Sequence, residues 1–229
     1  MTRFLRTASA LLTVAGVVIA GTAGRNRSEA ASADPLIDAF TRRAQEEGLT
    51  REQTDGKRLF VTSFRGGSML MELDAAKPAA RVVWKNNIVT PGGAKSTLGI
   101  HSTMSNPLLQ GGEIYGVCAF GELRCVDATT GARVWESFAA TGGQRRLWGH
   151  AYLIPHEQRC FLFNEDGDLI IARLARSGYE ELSRAHIIDP DDTLPGRAVA
   201  WAHPAFAERA VFGRSDSQIV CVSLADDEK

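Results

Sequence analysis

Residues 106–138 read NPLLQGGEIYGVCAFGELRCVDATTGARVWESF, and in them Gly111-Gly112 and Gly121 punctuate short runs rich in Ile, Val, Leu and Tyr. The pattern predicts four strands, Leu108–Gln110, Ile114–Ala119, Leu123–Asp127 and Arg133–Phe138. A tight Phe120-Gly121 turn joins the middle pair, because glycine accepts positive φ without a Cβ clash. In the Asp127-Ala-Thr-Thr-Gly131 reversal, the carboxylate is placed to accept backbone N–H groups two residues on, and Gly131 takes the left-handed position. Trp135 then offers a large ring for burial between neighbouring sheets.

The same punctuation recurs along the chain. Hairpin residues fall at Gly67, Gly121, Gly167 and Ser217, at intervals of 54, 46 and 50 residues, and all-strand units of that period imply a radial array of blades. Arg58 to Lys85 supplies three strands, Trp148 to Ile188 four, and His203 to Leu224 three. The expectation is an all-β partial β-propeller with two complete and two partial four-stranded blades. The first unit lacks an inner strand and the last an outer one.

These features, with Trp84 at the place in the first unit that Trp135 holds in the second, resemble the repeat of the pyrroloquinoline-quinone-like (PQQ-like) β-propellers. GGEIYGVCAFGELRCVDATTG, FLFNEDGDLIIARL, GYEELSRAHIIDP and WAHPAFAERAVFGRSDSQIVCVSLA resemble the C-terminal blades of planctomycete secreted propeller proteins, over roughly Asp55 to Ala225. The resemblance implies architecture and an extracytoplasmic setting, and brings no reaction with it. Quinone-dependent dehydrogenases of this fold carry an adjacent-cysteine disulfide over the cofactor, a Trp below it, and a Ca²⁺ held by Glu, Asn and Asp beside a catalytic Asp. This sequence has no two adjacent cysteines, and that residue set has no place in it. PQQ with Ca²⁺ therefore belongs to an alternative reading, a dehydrogenase relative or remnant; the main reading is a non-enzymatic exported scaffold without cofactor, or a truncated member of its family.

An open fan leaves flat faces uncovered. Strands of about 18 Å at a spacing of about 4.8 Å give each end roughly 300 Å², and two apolar ends together are worth up to about 15 kcal/mol. Cover is expected from a protein partner, from self-association through the open blade faces, or from the rest of a longer parent.

Arg3 and Arg6 precede an uncharged stretch from Thr7 to Gly24, which matches the n-region and h-region of a signal peptide with cleavage after Ala23 or Ala33. Residues 1–33 are read as signal and linker, and a membrane enters only if that segment stays uncleaved. Residues 34–54 are read as a short helical segment with Leu36, Ile37, Phe40 and Ala44 at helical spacing and a capping box at Thr50 and Gln53; the blades take 55–229. The address is periplasmic or extracellular. A net charge of −1, with Arg42-Arg43 and Arg145-Arg146 as isolated pairs, excludes a nucleic-acid partner.

Four cysteines in an exported chain invite disulfides, but Cys118 and Cys125 come out diagonal across one hairpin, and Cys160 and Cys221 sit in separate units as small apolar strand residues. Four free buried thiols are expected. Asn164-Glu-Asp-Gly-Asp168 has the composition of a Ca²⁺ loop, but with Gly167 sixth, the first and twelfth positions are Leu162 and Arg173, so it is read as a hairpin turn. Nucleophile–base signals, a Gly-rich phosphate loop and H-E-x-x-H are absent from the sequence, which leaves no candidate catalytic residue.

One constellation follows the blade period without being explained by the turns. His101, His150 and His203 lie 49 and 53 residues apart, each at the start of an inner strand, where equivalent positions ring the channel mouth. Three imidazoles on one axis suit a transition-metal site or an acid/base cluster near neutral pH; the bland alternative is loop histidines bonded to backbone carbonyls. Gly67, Trp84, Gly121, Asp127, Gly131, Trp135 and Gly167 are assigned to the structural repeat.

Overall fold

A computed structural model describes residues 50–54, 57–64, 66–74, 76–77, 79–86, 98–194 and 196–225. The signal and helical readings of 1–49 lie outside the described residues. Four antiparallel sheets follow one another along the chain, each with its strands paired in sequence order. Sheet I holds β1 (Thr50–Thr54), β2 (Arg58–Ser63), β3 (Gly67–Leu73) and β4 (Ala80–Asn86). Sheet II holds β5 (Leu108–Gln110), β6 (Glu113–Val117), β7 (Leu123–Asp127) and β8 (Arg133–Ser137). Sheet III holds β9 (Ala151–His156), β10 (Arg159–Asn164), β11 (Asp168–Ala175) and β12 (Gly178–His186). A two-stranded hairpin, β13 (Asp192–Leu194) and β14 (Arg197–Val199), precedes sheet IV, which holds β15 (Ala205–Ala207), β16 (Ala210–Arg214) and β17 (Ile219–Ser223).

The partial propeller is thus present, with three strands that the sequence did not suggest: β1, which completes the first blade, and the β13–β14 hairpin. Thr50–Thr54, read as a capping box at the end of a helical segment, is a strand paired along its length with β2, from Thr50 opposite Ser63 to Thr54 opposite Leu59. The first blade therefore has four strands. Its TREQT sequence carries no apolar alternation from which a strand could be read.

Side-chain alternation explains why the strands read as continuous apolar runs. In sheet II, Ile114 and Val126 pack toward Phe60, Leu70 and Trp84 of sheet I. Tyr115, Val117, Leu123 and Cys125 pack the other way, against Leu153, Cys160, Leu162 and Ile170 of sheet III. A strand buried on both faces has no need of polar alternation. Each of the three outer pairings breaks register at a bulge in the same place, Leu70/Met71, Cys125/Val126 and Ile171/Ala172.

The outer strands also carry struts to the next sheet. Trp84 Nε1 donates to the Ala128 carbonyl at 2.8 Å, and Trp135 Nε1 to the Ala175 carbonyl at 2.8 Å. Both indoles are half-buried, so Trp135 lies between sheets as expected, with its edge in solvent. In the reversal between β7 and β8, Asp127 Oδ1 accepts from the N–H groups of Thr129 and Thr130, both at 2.9 Å, and Gly131 has φ 73°.

The two ends of the fan differ. In sheet I the face turned from sheet II is buried, with Met69 at 0%, Met71 at 3% and Val61 at 7% exposure. In sheet IV, Val220 packs toward Phe163 and Ile188, while Ile219 on the opposite face is 74% exposed. Among the described residues, the sheet I face is therefore covered, where the sequence suggested an open one.

Candidate binding rim at one end of the blades

In an antiparallel meander, the hairpin between second and third strands and the crossover to the next sheet emerge at the same end. That end is where the periodic histidines and the Arg145-Arg146 pair fall. The crossover after β8, beginning with a short 3-10 turn at Ala139–Thr141, is stitched to the β6–β7 hairpin. Trp148 N–H donates to the Ala119 carbonyl at 2.7 Å, Arg146 N–H to the Phe120 carbonyl at 3.0 Å, and Thr141 Oγ1 to the Gly121 carbonyl at 2.6 Å. Phe120 and Gly149 form a parallel bridge, and a Cβ on Gly149 would lie 2.9 Å from Gly121 Cα, so that approach requires glycine. The same stitching holds Trp148 at φ 64°, a conformation that a bulky residue keeps only when its surroundings impose it.

The result is an aromatic platform. Phe64, just after β2, lies 4.9 Å from Trp148 and 6.4 Å from Phe120, centroid to centroid. The Arg145 guanidinium sits 3.9 Å over the Phe120 ring, within cation–π range. Leu147 is 49% exposed beside them. Sequence reasoning missed this cluster, although Phe64 and Phe120 both sit at the tip of a second hairpin and superposing the hairpins would have flagged them.

Beneath the platform a buried carboxylate locks the crossovers. Glu165, 0% exposed, receives Arg197 Nε at 3.0 Å and Nη2 at 3.1 Å, with Trp201 Nε1 at 3.4 Å. Arg197 Nη2 also donates to the Leu147 carbonyl at 2.8 Å, and Arg146 Nη1 binds Asp166 at 2.7 and 3.0 Å. Arg146 is therefore committed to the scaffold. Asn164 Oδ1 accepts from the N–H groups of Asp166 and Asp168, at 3.1 and 2.9 Å, so the acidic stretch is built as a hairpin turn.

The three periodic histidines reach different surroundings. His150 and His203 flank Tyr152 at 4.2 and 4.4 Å, and the Tyr152 hydroxyl donates to the Trp201 carbonyl at 2.7 Å. His203 Nδ1 contacts the Pro204 carbonyl at 2.7 Å. His101 belongs to a separate buried cluster, and among the described residues its ligand atoms lie within 4.8 Å of those of Cys118 and Glu122 rather than of the other two imidazoles. Arg124 stands inside that cluster, with Nη1 3.4 Å from His101 Nδ1 and 2.6 Å from the Gly99 carbonyl, and Nη2 3.6 Å from Glu122. A fixed guanidinium charge among the donors opposes a second cation. Burial, then Arg124, holds His101 down to about 3, and burial pushes the Cys118 thiol up to about 12, so both are neutral at physiological pH. The cluster works as a polar anchor for the β6–β7 hairpin.

Cys118 reaches it because the hairpin loop holds three residues. Cys118 N–H donates to the Glu122 carbonyl at 2.8 Å, and Gly121 N–H to the Cys118 carbonyl at 2.9 Å, which pairs Cys118 with Glu122 instead of Leu123. Cys125 pairs with Tyr115 and faces sheet III, so the two thiols lie on opposite faces of one sheet. All four cysteines are free; Cys118, Cys125 and Cys160 are buried, while Cys221, expected to be buried, is exposed.

A family model described as outer membrane protein assembly factor BamB matches residues 15–228. Among solved structures, BamB from Moraxella catarrhalis is 14% identical with a TM-score of 0.50, over 76% of this chain and 45% of that one. Quinohemoprotein alcohol dehydrogenase from Comamonas testosteroni is 16% identical with a TM-score of 0.44, over 72% of this chain and 29% of that one. The chain thus spans less than half the length of either, and likeness at these identities bears on the fold alone. No curated protein matches the chain.

Proposed function

This chain belongs to the family described as outer membrane protein assembly factor BamB, and from that premise we propose that it is a non-enzymatic, exported propeller scaffold that binds a protein partner through its aromatic rim. The observation that carries the reading is the platform of Phe64, Phe120 and Trp148 with Arg145 over it and Leu147 exposed at its side. Trp, aromatic and Arg side chains on a rigid support are the composition of interface hot spots. The support is rigid here because backbone hydrogen bonds and the Glu165 clamp fix the crossover that carries three of those residues.

The platform offers no slot for a planar quinone between its two closest rings, which supports the cofactor-free reading. Ring-on-ring contact on both sides needs roughly 7 Å between flanking centroids, twice an ordinary carbon contact, whereas Phe64 and Trp148 are 4.9 Å apart and in contact with each other. The export part of the reading rests on the basic, then apolar, N-terminal stretch of the sequence.

Site-specific photo-crosslinking in the native host tests the proposal. Benzoylphenylalanine at position 147 is expected to give a discrete adduct with a second protein. The same probe at position 158, in the β9–β10 hairpin at the opposite end, is expected to give none. Adducts at neither position, or equally at both, would overturn the assignment of the rim.

A further inference from the structure

At the rim end of sheet III one imidazole stands between two carboxylates. His186 closes β12 and lies opposite Asp168, the first residue of β11, in the antiparallel ladder. Its Nδ1 is 3.1 Å from Asp168 Oδ1, and its Nε2 is 3.0 Å from Asp189 Oδ1 in the crossover that follows. A carboxylate oxygen only accepts, so each contact needs an N–H on the ring, and a ring with two N–H groups is the imidazolium. A neutral imidazole carries one. It satisfies one of the two carboxylates and turns a lone pair toward the other.

The two carboxylates are held unequally. The Asp168 side chain is 17% exposed and also receives Arg184 Nη1 at 2.8 Å and Asn164 Nδ2 at 3.4 Å, donors that keep their protons at any ordinary pH. The Asp189 side chain is 88% exposed and stands in the crossover, outside the sheet. Other charges at this end are committed elsewhere. Arg184 also binds Glu181 and the Ala139 carbonyl, Asp166 binds Arg146, and Asp191 accepts from the Ser215 hydroxyl and the Asp216 N–H, both at 2.7 Å.

We propose that His186 is a proton-operated latch. As imidazolium it ties the crossover at Asp189 back to the start of β11; on losing a proton it stays with Asp168 and releases Asp189. The hydrogen bond to Asp189, then that to Asp168, raises His186 above its ordinary 6.5. The folded value is the higher one, so the tie is complete below pH 6.5 and is lost as pH rises through the folded value. The crossover it holds begins with Ile187, whose N–H donates to the Gly167 carbonyl at 3.0 Å, and runs on into β13–β14, whose Arg197 donates to the Leu147 carbonyl at 2.8 Å. A partner seated on Leu147, as proposed above, would meet a looser support at higher pH; the latch itself needs no partner.

Imidazole NMR on the full chain reads the protonation directly. Both His186 nitrogens are expected to show the imidazolium signature at pH 6.5, with a titration midpoint above that value. Asp189→Ala, a change at an exposed side chain, is expected to lower that midpoint. Hydrogen exchange at the Ile187 amide supplies a mechanical readout, because that N–H closes the crossover onto the Gly167 hairpin. Below pH 6.5 the variant is expected to exchange it roughly threefold faster than the parent, the size of an exposed ion pair, and above the parent's midpoint the two are expected to match. A parent midpoint at or below 6.5, a midpoint unmoved by the substitution, or an exchange ratio that is the same on both sides of it overturns the proposal.

Discussion

Gly167→Ala is expected to be among the most damaging single-methyl substitutions in this fold. A Cβ there would lie 1.8 Å from the Ile188 carbonyl oxygen, far inside any contact, and the residue has φ +85°. The left-handed conformation alone costs an alanine about 1–2 kcal/mol. Relieving the clash means moving backbone by more than an ångström, which breaks the Ile187 N–H to Gly167 carbonyl bond of 3.0 Å, worth about 1 kcal/mol. It also shifts Ile187 and Ile188 out of the core between sheets III and IV, a loss of about 1–2 kcal/mol by partial unpacking. The sum is about 3–5 kcal/mol. Gly143 supplies the control, because it has φ +78° with nothing within 4 Å of an added methyl, so Gly143→Ala carries only the conformational part. Urea unfolding followed by tryptophan fluorescence, with the slope unchanged, reads the difference. Two variants within about 1 kcal/mol of each other would refute the reasoning, since the clash would then be absorbed without cost.

Other outcomes follow from the same contacts. Glu165→Ala strands the Arg197 guanidinium next to a buried site and is expected to cost about 3–5 kcal/mol in the same assay, with Glu165→Gln costing less. Trp135→Phe keeps the ring but loses the bond to Ala175 and is expected to cost about 1 kcal/mol without change in far-ultraviolet circular dichroism. Arg176 and the turn N–H groups of Thr129 and Thr130 hold Asp127 down to about 2 from an ordinary 3.8. Its folded value is the lower one, so its stabilisation is full above pH 3.8 and lost as pH falls through about 2; carboxyl NMR on Arg176→Gln should show the titration moving up. Maleimide should label one thiol per native chain, Cys221, and four after unfolding, because burial hides Cys118, Cys125 and Cys160 and pushes them up to about 12, 11 and 12.

Much of the fold was legible because strands buried on both faces have to be apolar throughout. β10 and β11 stand out as RCFLFN and DLIIARLA, on either side of the Gly167 hairpin that the repeat period marks. β1 was hidden for the converse reason, since TREQT has no apolar alternation from which a strand could be read. The register of Cys118 failed by one residue because a three-residue loop and a two-residue loop look alike around Gly121. The rim was the least visible part. Phe64 and Trp148 are far apart in sequence, and the histidine period that did show repeats a strand start, while Tyr152 and Arg124 decide what each imidazole touches.

Phe64, Phe120 and Trp148 come from the first two sheets and the crossover that leaves the second, and among the described residues sheet II packs on its neighbours, sheets I and III. Repeats added or lost beyond the fourth would therefore leave those rings where they are. A lineage with this design is free to change its blade number by duplication or deletion at the far end while inheriting one recognition surface unchanged.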